Sequence, residues 1–273
     1  MSRRLRFQPV EMIARAGYAA RGVVYLLIGG FAVQAALELR SRALGAEDAL
    51  QAFVEWPLGP VWLVAVAAGL AGFVLWRLLQ AVLDADRRGS KPADLFFRAG
   101  QGFSALLYGV MAWSALNALD GVGDIREGED GEDSVAAVLA LPLGEALVLA
   151  GAVVIAGAAI GNLAKAVSKD FGEELICSKG VRSWAMPMGR IGYAARGVVF
   201  AGVALILAQL GFDLAAAGDG TLGSTLQQLE RLPFGSTLLV FTGLALAAFG
   251  LFGLVEARWR RIRVPEELQP DRR

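Results

Sequence analysis

The stretch GYAARGVV stands at residues 17–24 and again, letter for letter, at residues 192–199. Each copy sets an arginine inside an otherwise apolar run, and the two lie 175 positions apart. Each also opens a longer unit, which makes the chain an internal repeat before any other reading of it. Arg15-Ala-Gly17-Tyr18-Ala-Ala-Arg21-Gly22 aligns with Arg190-Ile-Gly192-Tyr193-Ala-Ala-Arg196-Gly197, and a weaker copy runs Arg98-Ala-Gly100-Gln101-Gly-Phe-Ser104-Ala105. A Pro-x-Gly follows every copy, at Pro57-Leu-Gly59, Pro142-Leu-Gly144 and Pro233-Phe-Gly235. From leading arginine to proline the distances are 42, 44 and 43 residues.

The repeat unit falls on a strongly apolar background. Of 273 residues 56% are hydrophobic and 19% charged, with a mean hydropathy of +0.52. The apolar residues collect into six runs, at 16–37, 58–81, 99–119, 142–164, 191–211 and 235–255. About 20 apolar residues rising 1.5 Å each match a hydrocarbon core of about 30 Å. The runs are continuous rather than alternating with period two, which excludes a transmembrane β-barrel. The expected fold is therefore all-α: six transmembrane helices, arranged as three parallel two-helix repeats. A ring about an axis along the membrane normal and a row of helix pairs both fit this pattern.

Charge orients the chain. With the N-terminus inside, inner segments hold 18 Lys and Arg and outer loops hold four, namely Arg40, Arg42, Arg126 and Arg231. Positive residues favour the cytoplasmic side, so both termini are expected there and the acidic loop at 120–134 outside. The resulting division is an N-terminal segment (1–13), repeat 1 (14–86), repeat 2 (87–170), an inner linker (171–188), repeat 3 (189–258) and a basic tail (259–273). A bacterial inner membrane is the expected location.

Nine residues ahead of each proline stand Asp48, Asp133 and Ser224, all favourable helix N-caps. Apolar residues recur behind them at i, i+3 and i+4, which predicts a short amphipathic helix on the outer surface before each second span. A re-entrant binding loop is the alternative. The proline itself suits the first turn of the following helix, where its missing N–H costs nothing.

The tripled Arg-x-Gly-Tyr-x-x-Arg-Gly-Val-Val, with Pro-x-Gly between paired spans, resembles the bacterial domain of unknown function 1206 family. The resemblance covers nearly the whole chain except the termini and the acidic loop. It implies a six-span membrane protein made of three copies of a two-helix domain, and no activity. The second repeat departs from the pattern, with Gln101, Ser104 and Ala105 in place of Tyr, Arg and Gly.

Arg21 and Arg196 are the foremost candidates for chemistry, each about 9 Å deeper along its helix than Arg15 or Arg190. Intramembrane charges face a bundle interior or a water path, or else snorkel back to inner-leaflet phosphates. Anchoring by snorkelling or structural packing is the expectation, and a lipid or ligand contact shared with Tyr18 and Tyr193 is the alternative. Gln34, Asn117 and Gln209 each follow a leading arginine by 19 residues. They are expected to fasten helices by amide hydrogen bonds or to form a polar intramembrane ring. Gln34 lies about 140° around the helix from Arg21, so the two serve different faces. Gln80, Lys165 and Glu256, each 23 residues after a proline, are expected to be solvated at the inner surface, with a Lys165–Glu256 pair as the alternative.

Histidine is absent and Cys177 is the single cysteine. His-ligated haem or zinc, a His base and an internal disulfide are thereby excluded. No cofactor or metal site is expected, nor any nucleic-acid partner. The expected function is non-catalytic: a structural or accessory protein packing with membrane lipids, a membrane-protein partner or further copies of itself. A passive conduit or carrier for a small solute, anionic ones included, is the alternative.

Overall fold

A computed structural model describes residues 9–37, 49–50, 57–87, 89–117, 138–212, 222–231 and 233–263. Asp48, Asp133 and the acidic loop lie outside the described residues. Among the described residues the longer helices are α1 (Pro9–Ala36), α2 (Gly59–Val82), α3 (Pro92–Asn117), α4 (Gly144–Val167), α5 (Lys179–Gly211), α6 (Leu222–Glu230) and α7 (Gly235–Trp259). Among the described residues the β content is one bridge, Leu175 to Arg260. Five helices, α1, α2, α4, α5 and α7, are long and apolar enough to cross a membrane. The helix at the third apolar run, α3, is 26 residues long but less apolar, with Gln101, Ser104, Ser114 and Asn117 along it.

Helix α6 is an amphipathic element placed just before a proline. It starts at Leu222, so Ser224 lies inside it rather than capping it. Residues 49–50 and 138–139 are also helical. Helix α5 starts at Lys179, with the Ser178 hydroxyl accepting from the Val181 N–H at 3.4 Å. Residues 179–188, read from sequence as linker, are thus the first turns of that helix.

The Pro-x-Gly motif folds differently from the expectation. Its proline stands ahead of the helix, the middle residue is left-handed, and the glycine begins the helix. Leu58, Leu143 and Phe234 have φ of 61°, 67° and 61°. A non-glycine residue in that region is strained, and its recurrence at all three motifs marks one local design. Glycine is required next: a Cβ on Gly144 would lie 2.3 Å from the Val138 carbonyl oxygen.

Packing follows the order α3, α2, α1, α7, α5, α4, each helix against the next. Short α6 packs on α5 and α7. The two ends of this series, α3 and α4, are not among the packed pairs of the described residues. Glycine makes the close approaches, as small residues do between helices in lipid. A Cβ on Gly17 would sit 2.6 Å from the Phe73 backbone, and one on Gly192 would sit 2.6 Å from the Phe249 backbone. These glycines are equivalent in sequence, so α1 meets α2 as α5 meets α7. Between α1 and α7, Gly22 opposes Gly250 and Gly29 opposes Gly243.

The leading arginines tie the series together at the C-terminal ends of α2, α4 and α7. Arg98 donates to the carbonyls of Ala81 and Val82 at the end of α2, at 2.9 Å each. Arg190 donates to Ala166 at 3.0 Å and Ser168 at 2.8 Å at the end of α4. Arg15 donates to Ala257 at 2.7 Å and Arg258 at 3.0 Å at the end of α7. Each arginine thereby satisfies orphan C-terminal carbonyls on the second helix of another repeat and complements its dipole. The third of these contacts joins residues more than 240 positions apart.

Candidate functional site

The aromatic and charged side chains of the repeats converge inside this arrangement. Arg21, on the buried face of α1, is 1% exposed and donates from Nη2 to Glu256 Oε2 at 2.5 Å. Its guanidinium also lies over three rings, with centroids at 5.1 Å (Tyr18), 5.2 Å (Phe73) and 4.9 Å (Phe249). Glu256, 2% exposed near the end of α7, receives Arg260 on its other oxygen at 2.6 Å. One carboxylate is therefore shared by two cations. Arg260 reaches on to Asp86 at 3.9 Å, and Asp86 accepts from Gln80 at 2.8 Å and Gln101 at 3.1 Å.

These contacts correct two expectations. Arg21 does not snorkel: its side chain turns inward to an ion partner and three aromatic faces. Gln80 and Glu256 are not solvated at the inner surface but buried in the same network. Tyr18 and Tyr193 are buried too, and so turned away from surrounding lipid in the single chain. Tyr18 accepts from Trp76 Nε1 at 3.2 Å. Tyr193 accepts from Lys165 Nζ at 2.9 Å, which is the direct partner found for that lysine.

Arg196 is buried as well, 7% exposed, but in different company. It lies over Tyr25, Phe200 and Phe249 at 5.3, 4.6 and 5.1 Å. Its principal electrostatic neighbours are Tyr25, Tyr108, Tyr193 and Arg21, none of them a carboxylate. Nε of Arg196 and Nε and Nη1 of Arg21 have no hydrogen-bond partner, and the Tyr108 hydroxyl lies beside that of Tyr25.

The amides do not join this centre. Gln34 and Asn117 are exposed, and Gln209 is half-buried. The reason is the helical angle: with Arg21 pointing inward, a side chain about 140° around α1 points outward. Gln34 and Asn117 therefore lie off the buried centre around Arg21. Among the described residues no group of three or more Cys, Asp or Glu is placed to hold a metal.

Sequence reasoning did not assign the leading arginines their capping role, nor Asp86, Arg260, Phe73 and Phe249 their places at the centre. The arginines carried a signal in their constant distance to the proline. Phe73 and Phe249 carried another, each 16 residues after a proline, while the second repeat has Ala158 there.

The family model described as Domain of Unknown Function (DUF1206) matches three segments, residues 16–84, 99–169 and 191–260. The chain is also similar to a protein of Bacillus subtilis (strain 168) described as "Uncharacterized protein YxxB". The two are 30% identical over 259 residues, which are 93% of this chain and 92% of that one. No solved structure matches.

Proposed function

This chain belongs to the Domain of Unknown Function 1206 family, and from that premise we propose a non-catalytic, multi-pass membrane protein that acts as a structural or accessory component. It crosses a bacterial inner membrane six times, with α3 as the sixth span and both termini in the cytoplasm. Its three parallel two-helix repeats surround an axis along the membrane normal. The cyclic caps of Arg15, Arg98 and Arg190 support that ring, and the 18-to-4 bias of basic residues supports the orientation.

One observation favours the accessory role over a conduit: Gln34 and Asn117 are exposed, and the centre around Arg21 is packed with aromatic rings. The partner surface falls on α4. Only 17% of its most apolar stretch is buried, against 61% for α1, which leaves its flank to lipids, a membrane-protein partner or a second copy. Nucleic acid has no part in this reading. Affinity purification of the full chain from its native membrane tests it by recovering a stoichiometric partner or homo-oligomer. Proteoliposomes passing chloride or phosphate faster than empty vesicles would sink it in favour of the conduit.

Orientation has its own test. In a Cys177→Ser background, a cysteine at Ser134 is expected to react with a membrane-impermeant thiol reagent in intact cells. A cysteine at exposed Lys179 is expected to react only after permeabilisation. The reverse pattern would invert the chain.

A further inference from the structure

We propose that the chain binds a phosphate-type anion at Arg196 and Lys165, in the space that the second repeat leaves inside the helix ring. The site goes beyond the accessory role and stands whether or not a protein partner exists.

The space follows from comparing repeats. Phe73 meets Tyr18 of its own repeat at 5.2 Å and Tyr108 of the next at 4.8 Å. Phe249 meets Tyr193 at 4.9 Å and Tyr25 at 4.7 Å in the same manner. The second repeat has Ala158 at that position, and Gly161 where the others have Trp76 and Phe252. It therefore has no ring to set between Gln101 and Phe200. A Cβ on half-buried Gly161 would meet nothing within 4 Å, and Gly100, equivalent to the glycines that press on Phe73 and Phe249, is exposed instead of pressed against a ring. Among the described residues α3 and α4 are not a packed pair, so the space lies at the seam between them.

Charge at the equivalent repeat positions selects the ligand. Arg21 finds Glu256, which follows the third repeat's proline by 23 residues. The residue that follows the second repeat's proline by 23 is Lys165, so the position in register with Arg196 carries a cation instead. Arg196 cannot lose its proton, and a buried cation without a counter-charge is unfavourable. Glu256 has both oxygens occupied by Arg21 and Arg260. The missing negative charge is supplied by a bound ligand. The cationic donors available to it are the Arg196 guanidinium with its unpartnered Nε and the half-buried Lys165 ammonium steadied by Tyr193, while the unpartnered Gln101 Oε1 can accept from a protonated phosphate oxygen. A guanidinium paired with an ammonium suits a phosphate group. The phosphate comes either from an inner-leaflet lipid entering between α3 and α4 or from free phosphate.

The full chain, purified in neutral detergent, is titrated with inorganic phosphate and with phosphatidylglycerol while its thermal unfolding midpoint is read by tryptophan fluorescence. Sodium chloride at matched ionic strength and diacylglycerol are the controls. A ligand of the folded state raises the midpoint. A rise with inorganic phosphate identifies the free anion, and a rise with phosphatidylglycerol alone identifies the lipid headgroup. Either rise should need at least tenfold more ligand in Arg196→Gln and Lys165→Gln. Should Arg196→Gln fail to fold, Lys165→Gln decides, since it keeps an amide to donate to Tyr193. No rise beyond the controls in the native chain, or equal responses in native chain and variants, overturns the site.

Discussion

A Glu256→Leu variant is expected to unfold far below the native chain. The substitution leaves Arg21, 1% exposed, with no carboxylate, and takes from Arg260 its 2.6 Å partner. Breaking a buried ion pair from one side costs about 3–5 kcal/mol, because the remaining charge stays enclosed. The aromatic faces of Tyr18, Phe73 and Phe249 offset part of this, at roughly 1–2 kcal/mol for a desolvated cation over a ring. The double variant Arg21→Met with Glu256→Leu should recover most of the loss, since an apolar pair of similar volume often stands in for a buried ion pair without penalty. Thermal unfolding of the three proteins in one detergent measures both effects. The comparison also separates two roles for Arg21. An arginine anchored to inner-leaflet phosphates would be indifferent to Glu256, and the single variant would then melt with the native chain.

Local patterns made the helices legible and left their partners hidden. Hydropathy runs located the five apolar helices, and constant arginine-to-proline spacing located the repeats, because both are properties of neighbouring residues. Arg21 and Glu256 are 235 residues apart and Arg15 and Ala257 are 242 apart, so no window along the chain contains either contact. Helical angle gave the face of Gln34 relative to Arg21, but nothing local said which of the two faces points inward. Had Arg21 been read as buried, Gln34 would have followed as exposed. The left-handed Leu58, Leu143 and Phe234 were illegible for another reason. Leucine and phenylalanine disfavour that conformation, and it appears here because the flanking glycine and proline impose it three times.

The close seam between α1 and α7 offers the sharpest contrast between neighbouring positions. Gly29→Ala is expected to disrupt the fold while Gly30→Ala leaves it intact or strengthens it. A Cβ on Gly29 would lie 2.5 Å from the Gly243 carbonyl oxygen and 2.6 Å from the Ala247 nitrogen. Both are backbone atoms of α7, so no side-chain rotation relieves the contact and the helices must move apart. Separating them loosens the matching approach of Gly22 and Gly250 one heptad away, and with it the Arg21–Glu256 contact that crosses the same interface. Overpacking a tight contact costs about 1–3 kcal/mol, occasionally more, and the shared seam places this site at the upper end. A Cβ on Gly30 meets nothing within 4 Å, and replacing a helical glycine with alanine gains roughly 0.5–1 kcal/mol. Unfolding midpoints of the two alanine variants should therefore diverge in opposite directions from the native value. Equal midpoints would mean that α1 and α7 do not meet through Gly29 and Gly243, and the ring would lose the contact that joins its first repeat to its third.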